Sequence, residues 1–516
     1  MTRHVRRTLA LALAVLTLTT LLGACGGVRS SPAASPAGTP GAPLPGGTLT
    51  VGIAQDLDDS LDPHKMVSAG TREVLFNVFE GLVKPDSSGN LLPAVASAYT
   101  LSDSGDAFTF TLRPGVKFHN GAAVTVQDVL YSLRRCMGEN GGAPLISAFS
   151  EVKSVDAPDD RTVVVTLNAP DPEFLAYLTA AIIPAGYDQQ DTRPIGTGPF
   201  QFVSRTPLES VVLERFDGYW GTPAHLDRVV FKIISSADTL TMSLNSGALD
   251  MAEQLTSAQA EELSSDFNIL EGTMNLVQAV YLNNAAPPLD NLKVRQALSY
   301  AIDRQQIMDF LADGRGTPVG SSMYPALTKY FDADLVNAYP YDPAKAKQLL
   351  ADAGYPEGFD LVITVPSNYT PHVDTAQVVV EQLKAVGVRA SVELVEWNTW
   401  LSRVYQNRDF QATIVGFDAA APTARAMLER WGSADSGNMI NFNDPEYDQT
   451  LRQAMAATDD AEQVSLYRRC QEILTERAAS LYIQDLSNLV ALRGNFAGYV
   501  FYPLYAMDLS TVYQVG

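Results

Sequence analysis

Apolar and polar positions along this chain change period several times, and each change marks an element. Leu49, Val51 and Ile53 alternate with smaller residues, so a strand opens the fold near Thr48. Residues 107–112 and 161–167 alternate as cleanly and are rich in β-branched and aromatic side chains, which predicts two more strands. From Thr125 to Met137 the period lengthens. Val126, Val129, Leu130 and Leu133 fall on one helical face, with Thr125 placed to cap it. Helices are predicted over Lys293–Leu311 and over Pro343–Ala353, the second closed by Gly354. Strand 360–365, helix 373–386 and strand 388–396 form a β-α-β unit. A last long helix, 459–478, carries Val464, Tyr467, Cys470 and Leu474 along its apolar stripe. The mixture predicts an α/β protein.

The first 47 residues follow neither period. Arg3, Arg6 and Arg7 precede an apolar run from Thr8 to Leu22, which has the plan of a secretory signal. That run is too short for a membrane span of about 20 residues. The signal ends on Leu22-Gly23-Ala24-Cys25, which resembles a bacterial lipobox. The resemblance implies that residues 1–24 are removed and that Cys25 is acylated, tying the protein to a membrane surface. Arg6-Arg7 leaves open whether export follows the general or the twin-arginine route. Residues 25–47 are Pro, Ala, Gly and Ser with little to bury, and read as a disordered tether.

Charge narrows the function classes. The chain of 516 residues has a formal net charge of −22, and losing three arginines with the signal makes the remainder more acidic still. Such a body repels phosphate backbones, which excludes nucleic acid as a partner. The length calls for two or three domains. Once Cys25 is lipidated, parity permits a disulfide between Cys136 and Cys470. Each lies on a buried helical stripe, so both read as unpaired buried thiols.

Catalytic signatures do not assemble. The five histidines are scattered without metal-ligand spacing, so neither metal nor cofactor is expected. Ser150-Glu151-Val152-Lys153 fits a Ser-x-x-Lys pattern, but its companion motifs are missing and it reads as the entry to a strand. Asp56, Asp58, Asp59 and Asp62 lack the glycine and glutamate of a calcium loop and read as a solvated loop. No catalytic residue is assigned.

A series of landmarks in fixed order carries a family resemblance. Leu61-Asp62-Pro63 precedes Phe79-Glu80-Gly81-Leu82, and Pro93-Ala94-Val95-Ala96 leads into Phe110 to Gly121. Asp128-Val129-Leu130-Tyr131-Ser132-Leu133 and Gly196-Thr197-Gly198-Pro199-Phe200 follow. Val294 to Arg304, Tyr341 to Ala346 and Leu349 to Tyr355 complete the set. From about residue 48 onward the chain resembles the family 5 extracellular solute-binding proteins, the dipeptide- and oligopeptide-binding components of ATP-binding cassette importers. That resemblance implies a two-lobe periplasmic-binding-protein-like fold (type II, cluster C) with an extra subdomain in lobe I. Lobe I would span 48–278 with the subdomain at about 85–192, lobe II 279–491, and residues 492–516 would return to lobe I. Arg295 and Asp303-Arg304 are read as structural, in helix salt bridges.

The resemblance also implies where a solute sits. Relatives hold an extended peptide mainly by its backbone, at the segment matching Val415 to Pro422. Gly416 fits their pattern, Phe417 replaces a tryptophan, and the acid that binds a peptide's ammonium falls on Ala420. Asp418 points to the same side of an extended chain and is either the replacement anchor or a solvated acid. Trp400 and Trp431, with Asn438 beyond, are candidate contacts, whereas Trp397 reads as core at least as readily. Asn368 and Tyr369 occupy the strand end where dipeptide binders often carry an arginine for the ligand carboxylate. The expected function is a lipid-anchored, monomeric receptor on the outer face of the cell membrane, passing peptides to permease and ATPase subunits. An oligosaccharide, opine or metal chelate is the alternative solute; an exported enzyme or a signalling receptor is the remote one.

Overall fold

Six residues from Thr48 to Ile53, with Leu49 and Val51 fully buried, nucleate the first sheet. The structure, a computed structural model, describes residues 42–58, 60–138, 142–419 and 421–516. The signal segment, Cys25 and all but the end of the tether lie outside the described residues. Pro43–Leu44, expected in the tether, instead pairs with Gln514 and Val515 at the chain's other end.

Thr48–Ile53 runs parallel to both Arg228–Ile233 and Met251–Leu255. Antiparallel strands extend this to a seven-stranded sheet ending at Phe267–Thr273 on one edge and Phe200–Thr206 on the other. A second sheet has six strands, in the order Thr317–Pro318, Ser480–Asp485, Leu276–Leu282, Ala412–Asp418, Asp360–Pro366 and Arg389–Val395. Each sheet organises its own lobe. The chain crosses between them at Thr273 to Leu276 and again at Asp485 to Ser487. These crossings precede the boundaries expected at 278 and 491. Both crossings are short: Met274 and Asn275, the latter at φ +56°, make the first and Leu486 the second, and every residue of Leu276–Leu282 and of Ser480–Asp485 is buried.

Within lobe I, four antiparallel strands (Ala96–Leu101, Ala107–Leu112, Thr162–Leu167 and Val152–Asp156) form a separate small sheet. The helix Val126–Cys136 buries Val126, Val129, Leu130 and Leu133 as its periodicity requires, and the Asp128 carboxylate accepts a bond from the Thr125 amide at 2.9 Å. Ser150 lies in a short 3-10 turn, Ser147–Glu151, that leads into a strand, so the Ser-x-x-Lys match has no α-helix to present it. In lobe II, Asp360–Pro366, helix Thr370–Lys384 and Arg389–Val395 form the expected parallel β-α-β unit. Gly354 follows helix Pro343–Asp352 at φ +92°, a conformation its missing Cβ permits.

Three expectations are corrected. The single helix over 293–311 is two, Leu292–Tyr300 and Arg304–Ala312, because the Asp303 carboxylate caps the amide of Gln306 and starts a new helix. Among the described residues Arg295 and Arg304 make no salt bridge. Arg295 donates to the carbonyls of Leu289, Arg477 and Ala478, and Arg304 to those of Tyr339 and Tyr482. Burial pulls both guanidinium groups down to about 10. The acids near residue 60 are not a solvated loop either: Asp56 pairs with Arg205 at 3.0 Å, and buried Asp62 pairs with Arg135. Asp59 lies outside the described residues. Cys136 and Cys470 are both free and buried, as expected, and burial pushes the Cys470 thiol up to about 12.

Candidate functional site

The two sheets bring their connecting segments together around a cavity of about 500 Å³. Solute sites of proteins commonly measure about 300–1,000 Å³. Lobe I lines it with helix Ala69–Leu75, with Phe79 to Pro85 and with Tyr505; lobe II contributes Asp418, Ala419 and the turn from Ala426 to Gly437. A smaller cavity of about 100 Å³ is lined by Glu73, Glu253, Asn368, Tyr369 and again Tyr505.

Arg72 spans the cleft. Its guanidinium donates to the Asp418 carboxylate at 2.7 Å and to the Val67 carbonyl at 2.8 Å. Arg72 and Asp418 lie 346 residues apart in sequence and on opposite lobes. Asn368 makes a second bridge between lobes, donating to Gln55 at 2.8 Å.

The other charged groups of the cleft are largely satisfied. Glu80 accepts bonds from Lys84 (2.9 Å), Tyr219 (2.7 Å) and Trp220 (2.7 Å). Glu429 accepts from Arg425 at 2.8 Å and from Tyr177 at 3.1 Å. His64 is buried against the Ala181 carbonyl, and burial pushes its pKa down to about 4, so its imidazole is neutral at pH 7. Beside the smaller cavity, burial raises both Glu73 and Glu253, and the charge of Glu253 raises Glu73 further. Tyr499 donates to Glu253 at 2.5 Å. Both carboxyls line the smaller cavity.

The sequence candidates separate into two groups. Asp418 lines the large cavity and is not a solvated acid; Asn368 and Tyr369 line the small one. Gly416 and Phe417 stand on strand Ala412–Asp418 without lining either cavity. A Cβ on Gly416 would meet Leu276 at 2.6 Å, and Phe417 packs edge-on to Tyr281 and Trp431. Trp400, Trp431 and Asn438 are buried with their polar groups paired inside the protein. Trp400 donates to Thr413 at 2.9 Å, Trp431 to Ser322 at 2.7 Å, and Asn438 to the Gly432 and Phe442 carbonyls. Trp397, half-buried, stacks on Trp400. Ala420 lies outside the described residues. Among the cleft residues that escaped sequence reasoning are two cations, Arg72 and Arg430. Their only signal is charge, and no local pattern joins Arg72 to Asp418.

Among the described residues no three His, Cys, Asp or Glu side chains gather as a metal site. Among the same residues no helix is long and apolar enough to cross a membrane.

A two-lobe α/β molecule with a solute-sized cavity between its lobes defines a class, the solute-binding receptors. Residues 90–439 match the family described as bacterial extracellular solute-binding proteins, family 5 Middle, and the chain belongs to that family. It is 32% identical over 456 residues to heme-binding protein A of Haemophilus influenzae, covering 81% of this chain and 83% of that protein. It is 29% identical over 449 residues to the glutathione-binding protein GsiB of Pectobacterium atrosepticum, covering 82% and 86%. The solved structure of a dipeptide-binding protein from Pseudoalteromonas sp. SM9913, in complex with Met-Leu, superposes with a TM-score of 0.83 at 25% identity, over 91% of this chain and 100% of that one. The family resemblance and the two-lobe α/β fold expected from the ordered landmarks are both borne out.

Proposed function

We propose that this chain is a lipid-anchored peptide receptor, held through Cys25 on the outer face of the cell membrane, that presents its cargo to the permease and ATPase subunits of an ATP-binding cassette importer. One observation carries the peptide reading. Strand Leu276–Leu282 pairs with Ala412–Asp418 along its whole length, whereas Asp360–Pro366 pairs with it only at Ala412 and Thr413. From Ile414 to Asp418 the strand therefore has a partner on one side only, and its end reaches the cavity. An extended peptide can add there as a strand, held by main-chain bonds that do not depend on its sequence. Asp418, Asn368 and Tyr369 then face the solute, while Phe417, Trp400, Trp431 and Asn438 support the wall behind it. Closure removes water from around those bonds and strengthens them.

The test is capture. Purified protein, stripped of bound solute by unfolding and refolding, is incubated with a tripeptide library and examined by native mass spectrometry and small-angle scattering. Retention of peptides with a smaller radius of gyration is expected, because the ligand selects the closed form. A library that leaves both unchanged, while an opine or an oligosaccharide is retained, would replace the peptide reading. For the anchor, Cys25→Ser is expected to release the protein from membranes; continued membrane association would sink that part.

A further inference from the structure

The large cavity contains one cation that the described residues leave without an ion-pair partner. Its carboxylates are already engaged: Glu80 by Lys84 and two ring donors, Glu429 by Arg425 and Tyr177, and Asp418 by Arg72. Asp435 accepts from the Gly437 amide at 2.7 Å. Arg430, on the turn Glu429–Trp431, lines the same cavity and forms no ion pair with any described carboxylate. A guanidinium offers five N–H donors. Arg430 uses one, in a long 3.3 Å bond to the Asp418 carbonyl, and its Nε is buried without a partner.

A buried carboxyl in this position would take up a proton and become neutral. Arginine cannot shed its charge, so the imbalance persists until a counter-charge arrives. The group is also held in place. Its Cζ lies over the Phe417 ring, 4.6 Å from the centroid, so little side-chain freedom remains to be lost on binding. The fork geometry suits a carboxylate, which it can meet with two parallel bonds.

We infer that Arg430 is the anion anchor of the cleft and receives a carboxylate of the bound solute. Under the peptide reading, on which this rests, that is the C-terminal carboxylate. The strand end at Asn368-Tyr369, where relatives often carry an arginine, has none; here the positive charge comes from a turn of lobe II next to the open strand edge.

The test compares a tripeptide library with its C-terminally amidated counterpart on the wild-type protein, Arg430→Gln and Arg430→Lys. Glutarate serves as a bare dicarboxylate probe. Wild-type protein is expected to prefer free acids over amides by roughly thirtyfold to a hundredfold, the usual scale of a charge-assisted bond. Arg430→Gln should erase that preference, and Arg430→Lys, which keeps the charge, should retain part of it. Equal binding of acids and amides by the wild-type protein overturns the anchor while leaving the peptide reading intact. Glutarate binding that Arg430→Gln abolishes, with no peptide bound by any protein, leaves the anchor standing and overturns the peptide reading. No response to any probe, in wild type or variants, overturns both.

Discussion

Arg425 and Arg430 stand five residues apart on one segment of lobe II, in opposite electrostatic settings. Arg425 is only 2% exposed, lies over the Tyr177 ring, and is paired with Asp171 of the inserted subdomain and with Glu429. Arg430 faces the cavity and pairs with no described carboxylate. The first arginine belongs to a dry seam that joins the lobes; the second has bonding capacity left for a solute. Residue type does not separate them, and the balance of partners does. Asp485 adds the converse case. Buried at the crossover between lobes, with one oxygen bonded to the Leu276 amide and the other unpartnered, it is pushed up by burial to about 8 and so loses most of its charge at neutral pH. Acids in such places become neutral, and arginines wait for a partner.

The largest expected effect lies in the seam. Arg425→Met leaves Asp171 buried and Glu429 half-buried without their cation and should cost about 3–5 kcal/mol of stability, equally with and without peptide. Urea unfolding measures it, and a loss below about 1 kcal/mol would reduce Arg425 to an ordinary surface pair and remove the contrast. Next comes the bridge across the cleft. Arg72→Met should cost about 1.5–3 kcal/mol and widen the ligand-free scattering envelope, since a charge-assisted bond between lobes is lost. An unchanged envelope would show that Arg72 does not help hold the lobes together.

The pH prediction uses Asp485. The folded protein keeps its proton up to about pH 8, whereas the unfolded chain releases it near 3.8. The proton-linked stability is fully present below about pH 4 and is lost as pH rises through about 8. Asp485→Asn has no proton to lose, so its melting temperature should gain on the wild type between pH 5 and 8. A constant difference across that range would mean that Asp485 is not held neutral. The smallest effect is expected at Trp400→Phe. It removes the bond to Thr413, costing about 1 kcal/mol of stability, and peptide affinity should stay within about twofold. A tenfold loss of affinity would return the aromatic wall to the binding surface.

Much of the fold is legible in the chain because local chemistry repeats it. Thr125 and Asp128 announce a helix start, and Gly354 announces a helix end. The open alternation of Phe108, Phe110, Val163 and Val165 announces strands whose one face is covered. The lobe crossings are not legible, since each is only one or two residues long and Leu276–Leu282 is buried on both faces. The split at Asp303 is visible only if its capping role outweighs the helical period around it. In the site, Asp418, Asn368 and Tyr369 are reached by alignment of local segments with a family pattern. The tryptophans mislead because rarity suggests contact, while Trp431 stacks on Tyr281 and hides its indole N–H against Ser322. Arg72 and Arg430 gain meaning only when distant segments meet, which no local period encodes.

The claim that partner balance assigns these two arginines their roles is tested most directly by paired thermodynamic cycles. One tripeptide, as acid and as amide, is titrated calorimetrically into wild-type, Arg430→Gln and Arg425→Lys proteins. The account predicts a coupling of roughly thirtyfold to a hundredfold between the ligand carboxylate and Arg430, and none beyond about twofold with Arg425. Coupling of equal size at both arginines, or coupling confined to Arg425, would contradict it.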